Sequence, residues 1–421
     1  MALDLRQIRR WLRLQPWQRN LYTILAAQSV ALLGFSISIP FLPFYIQELG
    51  ATELPEVAFW VGLINAAAPI SLMLASPIWG VLADRFGRKP MLVRAMLGGS
   101  VILGLCSAVS TVPQLAVLRI IQGTLTGTVP AATTLVATSV PRERTGFSLG
   151  LLQTAIFAGH SIGPFVGGIV GGAFGYRVAF LSSGILLSLA GFLVLLLVQE
   201  EFTPPPPREQ KQEGNALTSA LHLVTAEPIL ATMVALLMLN SLGNMVTNPV
   251  LPLYVQALVP TEREASTATG VIVGATAFSN AIGAVWIGRS ADRLGRRRLL
   301  LACLGIASLS SFPQAFTRHP AQLLLLRAIM GFAAGSVIPI ANAVIAEWAP
   351  EGRHGGIYGI SASLNAAGRA IGPMLGTIVV TSWSVGSVFP VTGALLGLVT
   401  IMTAVRTRSL AGPRSLERKR G

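Results

Sequence analysis

Gly80-Val81-Leu82-Ala83-Asp84-Arg85-Phe86-Gly87-Arg88-Lys89-Pro90 returns, 208 positions on, as Gly288-Arg289-Ser290-Ala291-Asp292-Arg293-Leu294-Gly295-Arg296-Arg297-Arg298. Each copy lies between two apolar runs. Its glycines permit a tight turn, and its basic residues hold that turn at a membrane surface. Asp84, close to the hydrocarbon boundary, needs a compensating charge, either a basic neighbour or the positive amino end of another helix.

Working outward, the match extends over the chain. At an offset of 209, Gly34, Pro40, Pro43, Tyr45 and Gln47 pair with Gly243, Pro249, Pro252, Tyr254 and Gln256. At 208, Leu118, Arg119, Gly123 and Gly127 pair with Leu326, Arg327, Gly331 and Gly335. Back at 209, Gly150, Gly159, Gly163, Pro164 and Gly167 pair with Gly359, Gly368, Gly372, Pro373 and Gly376. One offset, held to a single residue over separated blocks, means internal duplication.

Apolar runs predict six spans in each copy: 21–47, 57–83, 91–110, 114–139, 146–170 and 178–198, then 227–257, 267–288, 299–314, 321–346, 355–381 and 387–405. Six spans per unit put both copies in the same orientation. The expected organisation is a basic segment 1–20, a bundle 21–199, a linker 200–222, a bundle 223–406 and a basic tail 407–421. The linker contains Pro204 to Pro207 followed by charged residues, a solvated composition.

Composition agrees with an integral membrane protein. Of 421 residues, 52% are hydrophobic and 11% charged, with mean hydropathy +0.65. A soluble domain carries about 25% charge. The net charge of +14 would suit nucleic acid in a soluble protein, but its distribution excludes that reading. Basic residues cluster in the amino-terminal segment (Arg6, Arg9, Arg10, Arg13, Arg19), in the two signature turns and in the tail (Arg406, Arg408, Arg414, Arg418, Lys419, Arg420). The opposite loops keep Arg177, Arg263 and Arg318. This bias places both termini in the cytoplasm. The first 19 residues lack a signal-peptide core. Leu5, Ile8, Trp11 and Leu12 fit one face of an interfacial helix, and a disordered basic tail fits equally well. Cys106 and Cys303 lie in apolar runs, as packing residues.

The 80–90 turn resembles the signature loop of the major facilitator superfamily, with 288–298 as its degenerate second copy. Leu33-Gly34, Pro40 and Pro43 in the first span are similar to twelve-span drug:proton antiporters. Leu118-Arg119 with Gln122-Gly123, and Gly150, Gly159, Gly163-Pro164 and Gly167-Gly168, resemble further motifs of that family. The resemblance implies an all-α major facilitator fold of twelve spans in two pseudo-symmetric bundles. It implies alternating access, a gating role for Gly80, Asp84, Arg85, Gly87, Arg88, Asp292 and Arg293, and export as the direction. It implies a link of Arg119 to proton coupling and a glycine face on span five that seals one bundle against the other. The direct reading of Gly159, Gly163 and Gly167 is a smooth face for close helix packing, with Pro164 bending the helix.

Ionisable groups inside spans are costly and usually functional. Those here are Arg119 and Arg327 in the outer thirds of spans four and ten, His160 in span five and its repeat mate Arg369 in span eleven. Arg369, His160, Gln28, Gln122, Gln153, Asn240, Asn244 and Asn365 are the candidates for a polar cavity between the bundles, with Asn65, Asn280 and Asn342 as further polar positions. The alternative for Arg369 is bonding to helix carbonyls, and for Arg119 bonding to the backbone or to Gln122. The chain departs from proton-coupled relatives in having no mid-span carboxylate: Glu48, Glu227 and Glu347 lie near span ends. A cavity holding Arg369 suits neutral or anionic amphiphiles and repels lipophilic cations. Coupling then falls to Asp84, His160, a span-end glutamate or the substrate itself.

The expected function is proton-coupled efflux of small amphiphilic compounds, by a monomer in the inner membrane of a bacterium. Uptake of a sugar or organic anion, and lipid transport, use the same fold. No phosphate-cradling loop for ATP and no metal-spaced His and carboxylate cluster occurs, so no enzyme, cofactor or metal is expected.

Overall fold

The computed structural model describes residues 15–141, 144–200, 202, 223–350 and 354–407. The basic clusters at 6–13 and 408–420, and nearly all of the 200–222 linker, lie outside them.

Within a bilayer every backbone polar group must be bonded internally, which leaves helices for an apolar chain of this pattern. The first bundle is formed by α1 (Pro16–Ser38), α2 (Leu42–Glu48), α3 (Leu54–Phe86), α4 (Arg88–Cys106), α5 (Val112–Leu125), α6 (Thr128–Ser139), α7 (Thr145–Phe174) and α8 (Tyr176–Leu197). The second follows with α9 (Pro228–Thr247), α10 (Leu251–Gln256), α11 (Glu262–Leu294), α12 (Arg296–Ser311), α13 (Pro320–Trp348), α14 (His354–Ser382) and α15 (Val388–Arg406). Prolines open α1, α9 and α13, where a missing N–H costs nothing. The prolines of spans one and seven break each span into two helices, α1/α2 and α9/α10.

Among the described residues eleven segments are long and apolar enough to cross a membrane. The twelfth expected span, α14, has 29 residues but is not among the eleven; Ser361, Ser363, Asn365 and Arg369 dilute its first half. Apolar side chains such as Leu74, Ile169, Leu196, Trp286 and Ile401 are each more than 60% exposed, as a lipid-facing surface requires.

The chain divides into two compact units, Met1–Gly50 with Ile70–Arg208, and Ala51–Pro69 with Glu209–Gly421. The first half of α3 thus belongs with the second unit, a placement the 21–199 boundary does not contain. In the first unit α1 packs on α7 and α8, and α4 on α8; in the second α9 packs on α14 and α15, and α12 on α15. Leu92 and Met96 sit in the core of the first unit, and their repeat mates Leu300 and Leu304 in that of the second. Tyr45 donates to the Cys106 carbonyl at 2.7 Å, and its mate Tyr254 to that of Gln314 at 3.0 Å. Cys106 and Cys303 are free and buried, as packing residues should be.

Candidate functional site

The signature segment is mostly helix. Gly80 lies within α3, where an added Cβ would meet nothing within 4 Å, so no close contact requires glycine there. The turn itself is Gly87 alone, at φ +96°, and Gly295 repeats it at φ +90°. A side chain at either would be strained. The side chains of Asp84, Asp292 and Arg293 are outside those described. Arg85 is exposed over the Phe86 ring.

A carboxylate that motif reading passed over secures the first turn. Glu200 accepts from the Arg88 backbone N–H at 2.9 Å and from that of Lys89 at 2.7 Å. It caps the free donors at the start of α4, where the helix dipole also favours an anion. Asn20 in turn donates to the Gln199 carbonyl at 2.6 Å and accepts from its N–H at 2.9 Å, joining the ends of α1 and α8. In the second unit side chains of the turn reach outward instead. Arg296 pairs with Glu347 at 2.7 Å, and Arg297 donates to Thr407 and to the Ala404 carbonyl.

The two span arginines diverge in the same way. Arg119 is buried and donates to Gln122 Oε1 at 2.6 Å, which is the alternative its spacing allowed. Arg327 is 1% exposed. Its repeat partner to Gln122 is Met330, whose sulfur lies 4.0 Å from the guanidinium, and its Nε and Nη2 have no hydrogen-bond partner. Span four breaks at Gly127, φ +130°, between α5 and α6. The Trp79 indole holds the Thr124 carbonyl at that break, at 2.6 Å. Gly335, the matching residue, sits inside the continuous helix α13.

Gly159, Gly163 and Gly167 form the expected close-packing face. A Cβ on Gly163 would strike Ser36 and the Leu33 carbonyl, and one on Gly167 the Ile37 carbonyl. In the repeat, Gly368, Gly372 and Gly376 press on Met238, Leu242, Met245 and Val246. Both seams therefore lie inside a unit, α7 against α1 and α14 against α9. This corrects the expectation that the face seals one bundle against the other. Gly168 is buried beside the seam, Pro164 stands within α7, and Gly150 faces open space.

His160 and Arg369 each follow a seam glycine, and both are exposed. His160 Nδ1 is bonded to Ser36 Oγ at 2.9 Å. Arg369 makes no ion pair or hydrogen bond among the described residues. Gln153 is exposed; Asn244 and Asn365 are half-buried, with Asn365 accepting from Ser241 at 2.7 Å. Gln28, Gln122 and Asn240 are buried; Gln28 donates to Thr128 Oγ1 at 3.4 Å, Gln122 accepts from Arg119 in its own helix, and Asn240 Oδ1 has no hydrogen-bond partner among the described residues. Among the polar positions, Asn65 bonds back to the Val61 carbonyl and the Asn342 carbonyl accepts from Tyr358. The Asn280 carbonyl meets Gly335.

Residues 24–258 and 233–420 match the Major Facilitator Superfamily. The chain belongs to that family. It is 31% identical over 392 residues to the multidrug resistance protein MdtG of Enterobacter lignolyticus, covering 93% of each. Over 395 residues it is 31% identical to the multi-drug resistance efflux pump PmrA of Streptococcus pneumoniae, covering 94% of this chain and 97% of the pump. Its fold resembles a bacterial homologue of the human lysosomal transporter Spinster, with TM-score 0.75 at 14% identity over 94% of this chain and 98% of that one. The human organic anion transporter MFSD10 gives 0.66 at 17%, over 93% and 100%.

In this facilitator the stripe carrying Arg369 continues along α14 through Pro373 to Thr377. There it meets the first half of α3: Thr377 donates to the Ala58 carbonyl at 2.7 Å. A Cβ on Gly62 would collide with Thr377. Arg369 sits eight residues, about 12 Å of helix, from this closed contact. Neither Gly62 nor Thr377 carries a motif, and only their meeting distinguishes them.

Proposed function

We propose that the chain is a secondary exporter of small amphiphilic, neutral or anionic compounds in exchange for protons, working by alternating access in a bacterial inner membrane. The observation that carries this reading is Arg369, an exposed guanidinium in mid-span with no ion pair among the described residues. Against lipid such a group would be expensive, so it belongs on a water-accessible path, where an anionic or hydrogen-bond-accepting solute supplies its partner. A lipophilic cation would be repelled there. The relatives named for multidrug efflux support the direction. Among the described residues Asp and Glu occur near helix ends, so the proton falls to His160, Asp84, a span-end glutamate or the substrate's own acid group. Monomeric action and cytoplasmic termini complete the reading.

The test is flux in proteoliposomes with an imposed pH gradient. The proposal expects an anionic amphiphile to move against the proton gradient and Arg369→Ala to cut that flux at least about tenfold, the effect of losing about 1.4 kcal/mol. Flux indifferent to the gradient rejects coupling, and an unaffected Arg369→Ala rejects the substrate role. The same cation suits inward movement of an organic anion; accumulation of such a compound by cells expressing the protein would favour that second reading.

A further inference from the structure

Three consecutive arginines follow the second signature turn, and two of them have partners. Arg296 takes Glu347 and the Ala343 carbonyl; Arg297 takes Thr407 and the Ala404 carbonyl. Arg298 is exposed and bonds to none of the described residues. With Ala302, Ile306 and Leu309 it forms the exposed edge of α12.

Beside that edge lies an open fissure of about 340 Å³, lined by Ile287, Cys303, Ile306, Ala328, Ile329, Phe332 and Ala333. Its lining comes from α11, α12 and α13, with α13 contributing Ala328, Ile329, Phe332 and Ala333. Its wall is apolar, and Ile306 and Ile329 are 47% and 41% exposed. From Arg298 to Ile306 is eight residues, about 12 Å along the helix. A cation at the membrane surface thus stands above an apolar slot running inward.

The first copy differs at both positions. Pro90 occupies the position of Arg298, and Trp79 that of Ile287. The Trp79 ring is stacked on Arg94, 3.5 Å from ring centre to guanidinium, and its indole is bonded to Thr124. A bulky, bonded ring thus stands at the position that in the second copy is an isoleucine lining the fissure.

We propose that this fissure binds one anionic phospholipid, with an acyl chain between α11 and α12 and the headgroup phosphate on Arg298. A zwitterionic lipid would fill the slot equally but brings a cationic group beside three arginines, so charge selects the anionic class. The site is independent of what the protein carries.

Phe332→Trp places a fluorophore in the fissure lining. Its emission, taken as the difference from the parent protein, is followed as phosphatidylglycerol or phosphatidylcholine with brominated acyl chains is added to the full chain. The site predicts half-quenching at a several-fold lower fraction of phosphatidylglycerol, and loss of that preference in Arg298→Gln. Equal quenching by both lipids, or a preference that survives Arg298→Gln, overturns it. If Phe332→Trp does not fold, native mass spectrometry of the parent and Arg298→Gln decides. Retained phosphatidylglycerol that the variant loses supports the site, and equal retention by both proteins overturns it.

Discussion

The two signature turns share a backbone and differ in what holds them. Gly87 and Gly295 adopt the same left-handed conformation. The first turn is held by a carboxylate that receives backbone N–H groups, Glu200 on Arg88 and Lys89. The second is held by guanidiniums that reach out, Arg296 to Glu347 and Arg297 to Thr407. Arg119 with Gln122 set against Arg327 with Met330 repeats the lesson, as does His160 against Arg369. Duplication kept the helices and glycine seams, whose shape has no substitute, and released the polar contacts to diverge.

The seams are where the copies should break alike and hardest. Gly163→Leu and Gly372→Leu force atoms into facing backbone, with a cost at or beyond the usual 1–3 kcal/mol of overpacking, roughly. Size-exclusion chromatography should show both variants losing monodisperse protein, while Gly150→Ala and Gly359→Ala, which face open space, do not. Equal behaviour of the four would deny the seam.

Exchanging the arginine partners sharpens the contrast. Gln122→Met copies the second unit into the first and leaves Arg119 without its acceptor, a loss of about 2 kcal/mol. Met330→Gln should return a smaller part of that to the second unit. Thermal unfolding followed by fluorescence must shift in opposite directions for the two.

The turns give the smallest effects. Glu200→Ala removes a helix cap worth about 1 kcal/mol, whereas Glu347→Ala breaks an exposed ion pair worth about 0–1 kcal/mol. Both effects weaken as salt is raised, and that of the exposed pair should fade further.

The duplication, the spans and the seam glycines were legible because each leaves a period or an offset in the sequence. The accessible polar residues were less so. In a membrane bundle the core and the lipid are both apolar, so a helix carries no amphipathic signal to say which face is inward. Hence Gln28, Gln122 and Asn240 read as cavity residues while being buried. Glu200 precedes a proline run and reads as linker, since its cap is 112 positions from Arg88. Gly127 and Gly335 are the same residue at matched positions, yet only the first breaks its helix, where Trp79 is present to hold the Thr124 carbonyl. The Thr377 contact with Ala58 spans 319 positions, beyond the reach of any local pattern.

Cysteines placed one at a time at 160, 369 and 371, in a chain whose native thiols are buried, would be challenged with a charged, membrane-impermeant thiol reagent. Labelling is expected at 160 and 369, slowed by an anionic amphiphile at 369, and none at 371, where an exposed isoleucine stands. Labelling at 371 with silence at 369 would put the guanidinium against lipid and contradict that expectation.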